Sequence, residues 1–347
     1  MDPHAKREAE ESATKRHLAA TVAAFLLFLV SAIPAAALGG REAAGSEPIT
    51  IRAAVLKGPS GVSLVRLLDG PAVLPGNATL ETVVVPNTDV MVARLLSGEL
   101  DAAVLPPNLA VNLYNAGMDF RLGAVVGFGM NSVIAADPSI ASIRDLAGRV
   151  VQVAGQGATP EYVLRALLAK EGLEPGKDLT LSFSMPVPEI AASLVAGRIP
   201  LAVLPEPFAT QALAGNPALS RAFTLEPAWR EATGSGDYPM TVLVVRGTLV
   251  DSRPAAVSAL LDACKASVEF VVADPAAAGA LVEQRELGLK ADIAAKAIPA
   301  SNYRYLAPGA ARPALETLFR VFLEYAPDSI GGRLPAEGFW RGDAREK

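Results

Sequence analysis

LLSGELDAAVLPPNLA, residues 95–110, is followed 99 positions later by LVAGRIPLAVLPEPFA, residues 194–209. Leu95, Gly98, Ala103, Val104, Leu105, Pro106 and Ala110 all recur at that offset. Each copy reads as the end of a helix, a glycine stop, a short buried strand and a proline-punctuated loop that opens another helix. A second pair of segments precedes them. The strand Ile49–Leu56 runs into Gly58-Pro59-Ser60-Gly61 and a helix through Leu68. The strand Arg149–Val153 runs into Gly155-Gln156-Gly157-Ala158-Thr159-Pro160 and a helix through Leu168. The spacing between the landmark glycines is 40 residues in one half (Gly58 to Gly98) and 42 in the other (Gly155 to Gly197), so one βαβ plan accounts for both.

Working outward, short Val-rich strands alternate with helical stretches, which predicts parallel sheets covered by helices. One lobe takes strands near 50–56, 79–85, 101–105 and 121–126. The other takes 132–136, 149–153, 179–184, 200–204 and 222–225, and Met240–Val245 returns the chain to the first. Amphipathic helices follow at Ala255–Val272, Ala276–Leu287 and Ala310–Tyr325. Gly127–Asn131 and Gly234–Tyr238 are the glycine-bearing connections, expected to be flexible. The expected organisation is residues 47–129 plus 239–347 as lobe 1 and 130–238 as lobe 2. Two similar lobes joined by two crossings form a hinge around a cleft.

In open sheets of this kind ligands gather beyond the carboxyl ends of the strands, where both Gly-rich loops fall. Each loop leads into a helix start with unpartnered N–H groups and a partial positive charge. Gly61 and Gly157 let a ligand approach the backbone, and Ser60, Ser63 and Thr159 offer hydroxyls. Such ends suit a carboxylate, sulfonate, phosphate or polarised ring carbonyl. The same residues also read as an ordinary turn and as an N-cap followed by Pro at N1. No Gly-Lys-Ser/Thr follows, so neither is a nucleotide-phosphate loop. Glu206 stands where the first copy has Pro107; it either accepts from a ligand amine or ring N–H, or braces its loop against an arginine. Asn108, beside Pro107, is a candidate polar contact. Asn131, Ser132, Asp237 and Tyr238 lie at the crossings, as ligand contacts or as caps of the hinge. Phe128, Tyr162 and Phe208 either stack on a flat ligand or fill the core.

Composition narrows the chemistry. The chain has 347 residues, 51% hydrophobic and 19% charged, with a formal net charge of −5, so it is too apolar for disorder and too acidic for a nucleic-acid binder. Cys264 is the single cysteine and His4 and His17 are the only histidines, which removes disulfides, Cys-based zinc clusters and His-dependent catalysis from the mature chain. No catalytic residue, metal site or cofactor is expected. Lys15-Arg16-His17, the apolar run Leu18–Val30 and Ala35-Ala36-Ala37 make a secretory signal peptide over residues 1–37, cleaved near Ala37. The alternative is a retained anchor, since Leu18–Leu38 is just long enough to span a bilayer.

Gly58–Gly61, Gly157–Tyr162 (Gly-Ala-Thr-Pro-Glu-Tyr), Leu204–Phe208 (Leu-Pro-Glu-Pro-Phe), Gly331–Pro335 and Phe339-Trp340 occur in an order that resembles the periplasmic substrate-binding proteins of ABC importers. The resemblance is to the NMT1/THI5-like family of sulfonate, nitrate, taurine and thiamine-precursor binders, in a Leu-Pro-Glu-Pro-Phe subgroup, and runs from about Ile49 to Trp340. It implies an α/β type II periplasmic-binding fold with two Rossmann-like lobes. It further implies a monomer that captures a small organic solute, anionic or heteroaromatic, and delivers it to a membrane permease from the periplasm. By the same resemblance Ser60, Gly61, Asn108, Thr159 and Glu206 become candidate contacts. The absence of a lipobox departs from many relatives and points to a free periplasmic protein. The alternatives are an exported sensor for a signalling receptor, or an enzyme of the same fold, of the thiamine-pyrimidine synthase or chorismate-processing type.

Overall fold

The computed structural model describes residues 47–346; the expected signal peptide, its cleavage site and both histidines lie outside them. The strands fall into two sheets. The first has the order β2 (Ala72–Leu74), β3 (Ala78–Val85), β1 (Ile49–Leu56), β4 (Ala102–Leu105), β11 (Pro239–Arg246) and β5 (Phe120–Phe128). The second has the order β10 (Ser220–Thr224), β6 (Asn131–Ala135), β9 (Leu201–Pro205), β7 (Val150–Val153) and β8 (Thr180–Ser182).

The duplicated text occupies equivalent places. Its first copy spans the end of α2 (Thr88–Leu96), then β4, then α3 (Pro107–Asn115). Its second spans the end of α5 (Val187–Val195), β9 and α6 (Phe208–Gly215). Gly98 and Gly197 both sit at positive φ, 78° and 68°, the left-handed stop that glycine adopts without a Cβ penalty. Ala103-Val104-Leu105 and Ala202-Val203-Leu204 are fully buried, because each strand is interior to its sheet and covered by helices on both faces.

The sheets are mixed rather than wholly parallel. β1, β3 and β4 run parallel, as do β7, β8 and β9, but β11 is antiparallel to β4 and β5, and β6 is antiparallel to β9 and β10. A chain that leaves one sheet through β5 and returns through β11 lays those strands side by side in opposite directions. Their largely apolar text looks the same in either sense. The edge strand β2, with Val73 exposed, is an element the sequence pattern did not reveal.

Helices α1 (Pro59–Ser63), α4 (Thr159–Lys170), α7 (Leu225–Thr233), α8 (Gly247–Ser252), α9 (Pro254–Ala273), α10 (Pro275–Gln284), α11 (Ala291–Ala297) and α12 (Pro308–Tyr325) complete the described helical elements, with short 3₁₀ turns between them. The last two tie the sheets together. α11 packs on α6, and α12 packs on α4, where Tyr162 meets Phe322 edge to face at 5.3 Å. No helix of the described residues is long and apolar enough to cross a membrane.

Candidate functional site

The parallel strands of each sheet present their carboxyl ends to the other sheet's loops, and the loops touch. A Cβ on Gly58, after β1, would sit 3.9 Å from the ring of Phe208, which opens α6. The Nδ2 of Asn108, in the first turn of α3, donates to the carbonyl of Gly157, before α4, at 3.1 Å. Asn108 is buried and its Oδ1 has no partner; two residues past Gly157, the buried Thr159 Oγ1 has none either. Buried polar atoms are ordinarily paired, and these two partnerless atoms stand beside the contact between the two sets of loops.

The other candidates are engaged within the fold. Ser60 Oγ closes the turn after β1, donating to the Leu56 carbonyl and accepting from its N–H, each at 3.1 Å. At Gly61 a Cβ would stand 2.8 Å from the Leu56 carbonyl oxygen and 3.2 Å from Leu287, so here the glycine answers close packing. Ser63 Oγ donates to the Ser60 carbonyl at 3.0 Å. The helix starts differ from the sequence picture too. α1 is only five residues long, and at α4 the Gly157 N–H donates to Glu161 Oε2 at 2.8 Å. The carboxylate of the first turn thus meets the positive end from inside.

Of the two roles open to Glu206, the structure displays the bracing one. Its fully buried carboxylate accepts from Arg221 at 2.5 Å and from the Thr210 N–H at 3.1 Å. Arg221 also donates to Ser132 Oγ.

At the crossings, Asn131 Nδ2 donates to the Tyr238 hydroxyl at 3.0 Å, and that hydroxyl donates to Glu226 Oε1 at 3.1 Å. Glu226 Oε1 also accepts from the Asn131 N–H at 3.1 Å. Burial and the Glu226 charge raise the Tyr238 phenol well above its ordinary pKa. Asn131 Oδ1 is buried without a partner. Asp237 pairs with Arg230 and, at 3.4 Å, with Arg304, and accepts from Asn302 Nδ2 at 3.1 Å. The glycine connections, expected to be flexible, are close-packed in places: a Cβ at Gly129 would lie 2.8 Å from Glu226 and from the Tyr238 ring.

The aromatics divide. Arg304 covers Phe128 at 3.9 Å from the ring centroid, Tyr162 belongs to the α4–α12 contact, and Phe208 faces the opposite loop.

Sequence reasoning missed Glu226, Asn302, Tyr303 and Arg304. The last three follow a 3₁₀ turn with no motif around them and reach the crossings only through the tertiary fold. Tyr303 is buried near Glu206, and its phenol is raised chiefly by desolvation.

A cavity of about 790 Å³ lies elsewhere, lined by Tyr114, Arg121, Asp251 and Arg341 among others. Arg121 there forms a bidentate pair with Asp251 at 2.8 and 2.7 Å. Among the described residues that line it, none carries a partnerless buried side-chain atom.

Residues 75–284 match the NMT1-like family, a span that includes Gly157–Tyr162 and Leu204–Phe208 but not Gly58–Gly61 or Gly331–Pro335. No curated protein matches the sequence. Among solved structures, one described as an ABC transporter from Parabacteroides distasonis is 27% identical, with a TM-score of 0.72 over 84% of this chain and 98% of that one. The periplasmic aliphatic sulphonate binding protein SsuA from Escherichia coli is 16% identical (TM-score 0.64, 85% and 92% covered). The periplasmic nitrate-binding protein NrtA from Synechocystis PCC 6803 is 15% identical (TM-score 0.58, 86% of each chain).

Proposed function

The chain belongs to the NMT1-like family, and from that premise we propose that it is the solute-binding component of an ABC-type importer, exported and free in the periplasm. Its two-sheet α/β architecture is the periplasmic-binding fold. In this reading residues 47–129 with 239–347 form one lobe and 130–238 the other, and a small organic solute is held between them and handed to a permease. The observation that carries the reading is the hydrogen bond from Asn108 to Gly157, which crosses from one sheet's loops to the other's beside two buried atoms without partners.

Binding works by closure. The open form exposes the loops after β1, β4, β7 and β9; a solute that touches both sets favours the closed form by its differential affinity for that state. Asn108, Gly157 and Thr159 touch the solute. Ser60, Gly61 and Glu206 shape the loops that present them, and Asn131, Asp237 and Tyr238 hold the crossings on which closure turns. In this reading no bond is broken.

Native mass spectrometry of the processed protein from its own host tests the reading, with a retained small molecule expected. Adding that molecule at a hundredfold excess over Kd should raise stability by about 2.7 kcal/mol. Conversion of the molecule to a product by the purified protein would overturn it.

A further inference from the structure

The buried charged side chains of the described residues are Glu161, Glu206, Glu226 and Asp343; no lysine or arginine is among them. Three of these carboxylates surround the interlobe loops. Glu161 is in the first turn of α4, Glu206 follows β9, and Glu226 opens α7 against the first crossing. The arginines that reach this region are committed, Arg165 to Glu161, Arg221 to Glu206 and Ser132, Arg230 to Asp237, and Arg304 to Asp237 and the face of Phe128. Lys57, beside Gly58, is solvent-exposed, where its charge is screened. An anion closed into this space would be desolvated beside arginines already paired with carboxylates and, among the described residues, with no buried lysine or arginine to offset the loss, an expensive arrangement.

The partnerless atoms point the same way. Because Gly157 offers a carbonyl, the Asn108 amide must turn its NH₂ toward it, and this fixes Oδ1 as the atom left over. Asn131 is oriented likewise by the Tyr238 oxygen and Met240 sulfur, again leaving Oδ1. Both orphans are acceptors, and an oxyanion brings them no donor. The Thr159 Oγ1 and the Tyr303 hydroxyl, also without partners, can accept as well as donate.

We propose that the cleft selects a solute without net negative charge that presents N–H or O–H donors, an amide, lactam or amine rather than a sulfonate, nitrate or carboxylate. The inference rests on the solute-capture reading above. In it Asn108 has two tasks: its NH₂ latches one lobe to the other, and its carbonyl reads a donor on the solute.

The test is a thermal-shift and calorimetric panel on the processed protein, using matched pairs: nicotinamide against nicotinate, succinamide against succinate, methanesulfonamide against methanesulfonate, with nitrate alongside. Stabilisation by the neutral members is expected, with at least tenfold weaker binding of each anion. Preference for the anions would overturn the inference and leave solute capture standing. No response to any member, together with no molecule retained in native mass spectrometry, would overturn solute capture itself. Asn108→Leu should weaken the best neutral probe at least tenfold, and Thr159→Val, a near-isosteric change, supplies the same reading if the first variant does not fold. Unchanged affinity in a folded variant removes that residue from the recognition.

Discussion

Gly129 and Cys264 are two residues at which burial makes a measurable statement. A methyl group at Gly129 has nowhere to go, with Glu226 and the Tyr238 ring both 2.8 Å from it. Gly129→Ala should therefore cost about 1–3 kcal/mol through overpacking, read as a lower urea midpoint with an unchanged slope. Cys264 is buried, and desolvation pushes its thiol up to about 12. Above the ordinary thiol range the unfolded chain loses this proton while the folded chain keeps it. Its contribution to stability is thus intact below the unfolded pKa and falls as pH rises toward 12. At pH 8 a thiol reagent should label Cys264 only through unfolding, so the labelling rate should rise with urea in step with the unfolded fraction; rapid labelling of the native protein would contradict this burial. At this scale the sequence was partly legible. Asn108 and Thr159 stood out because polar residues follow strand ends in both halves. Which of Glu206's two roles holds, and which arginine it meets, was not readable, since Glu206 and Arg221 come together only when β10 folds against β6.

At the scale of elements the hydrophobic text served well where strands and helices are long. The helices read as Ala255–Val272 and Ala310–Tyr325 are observed at Pro254–Ala273 and Pro308–Tyr325. It served poorly for strand direction, because the central run of β11, Val242–Val245, is apolar and carries no mark of its antiparallel neighbours. Two contacts between elements invite measurement. α12 reaches α4 through Phe322, fully buried against Tyr162; Phe322→Ala should cost about 3–5 kcal/mol by denaturant unfolding, far more than a surface change on the same helix. The short turn Ile143–Leu146 is entered through a reciprocal cap. Asp145 accepts from the Ala141 and Ser142 N–H groups at 3.0 and 2.8 Å and from the Ser142 hydroxyl at 2.8 Å. These donors, the Ala141 N–H foremost, hold the carboxyl below its usual range. A depressed carboxylate stabilises the fold above its unfolded pKa, about 3.9, and the gain disappears as pH falls through the folded value. Urea midpoints of the parent and Asp145→Asn proteins should differ by a constant amount above about pH 5 and converge below it.

For the whole molecule the question is what limits movement of one sheet against the other. The duplicated plan pointed to two halves and two crossings, but not to the third segment that lies against the connections between the sheets. Residues 301–306 bond to β5 through Leu306 and Val125, each N–H to the other's carbonyl at 2.9 Å. Asn302 accepts from the Phe128 N–H at 3.2 Å, and its side chain donates to the Gly129 carbonyl and to Asp237, each at 3.1 Å. The crossings also hold one another, Gly129 N–H to the Tyr238 carbonyl at 2.8 Å. Asn302 sits at φ 47°, a left-handed conformation that asparagine and glycine tolerate, so Asn302→Gly removes the amide without forcing the backbone. Two hydrogen bonds of about 1 kcal/mol each restrain a region whose local opening governs amide exchange. The variant should therefore speed exchange at residues 127–131 and 237–238 by roughly tenfold or more, with the strands of the second sheet unaffected. Equal exchange in both proteins would mean that the two crossings set the stiffness alone and that the third segment merely rests on them.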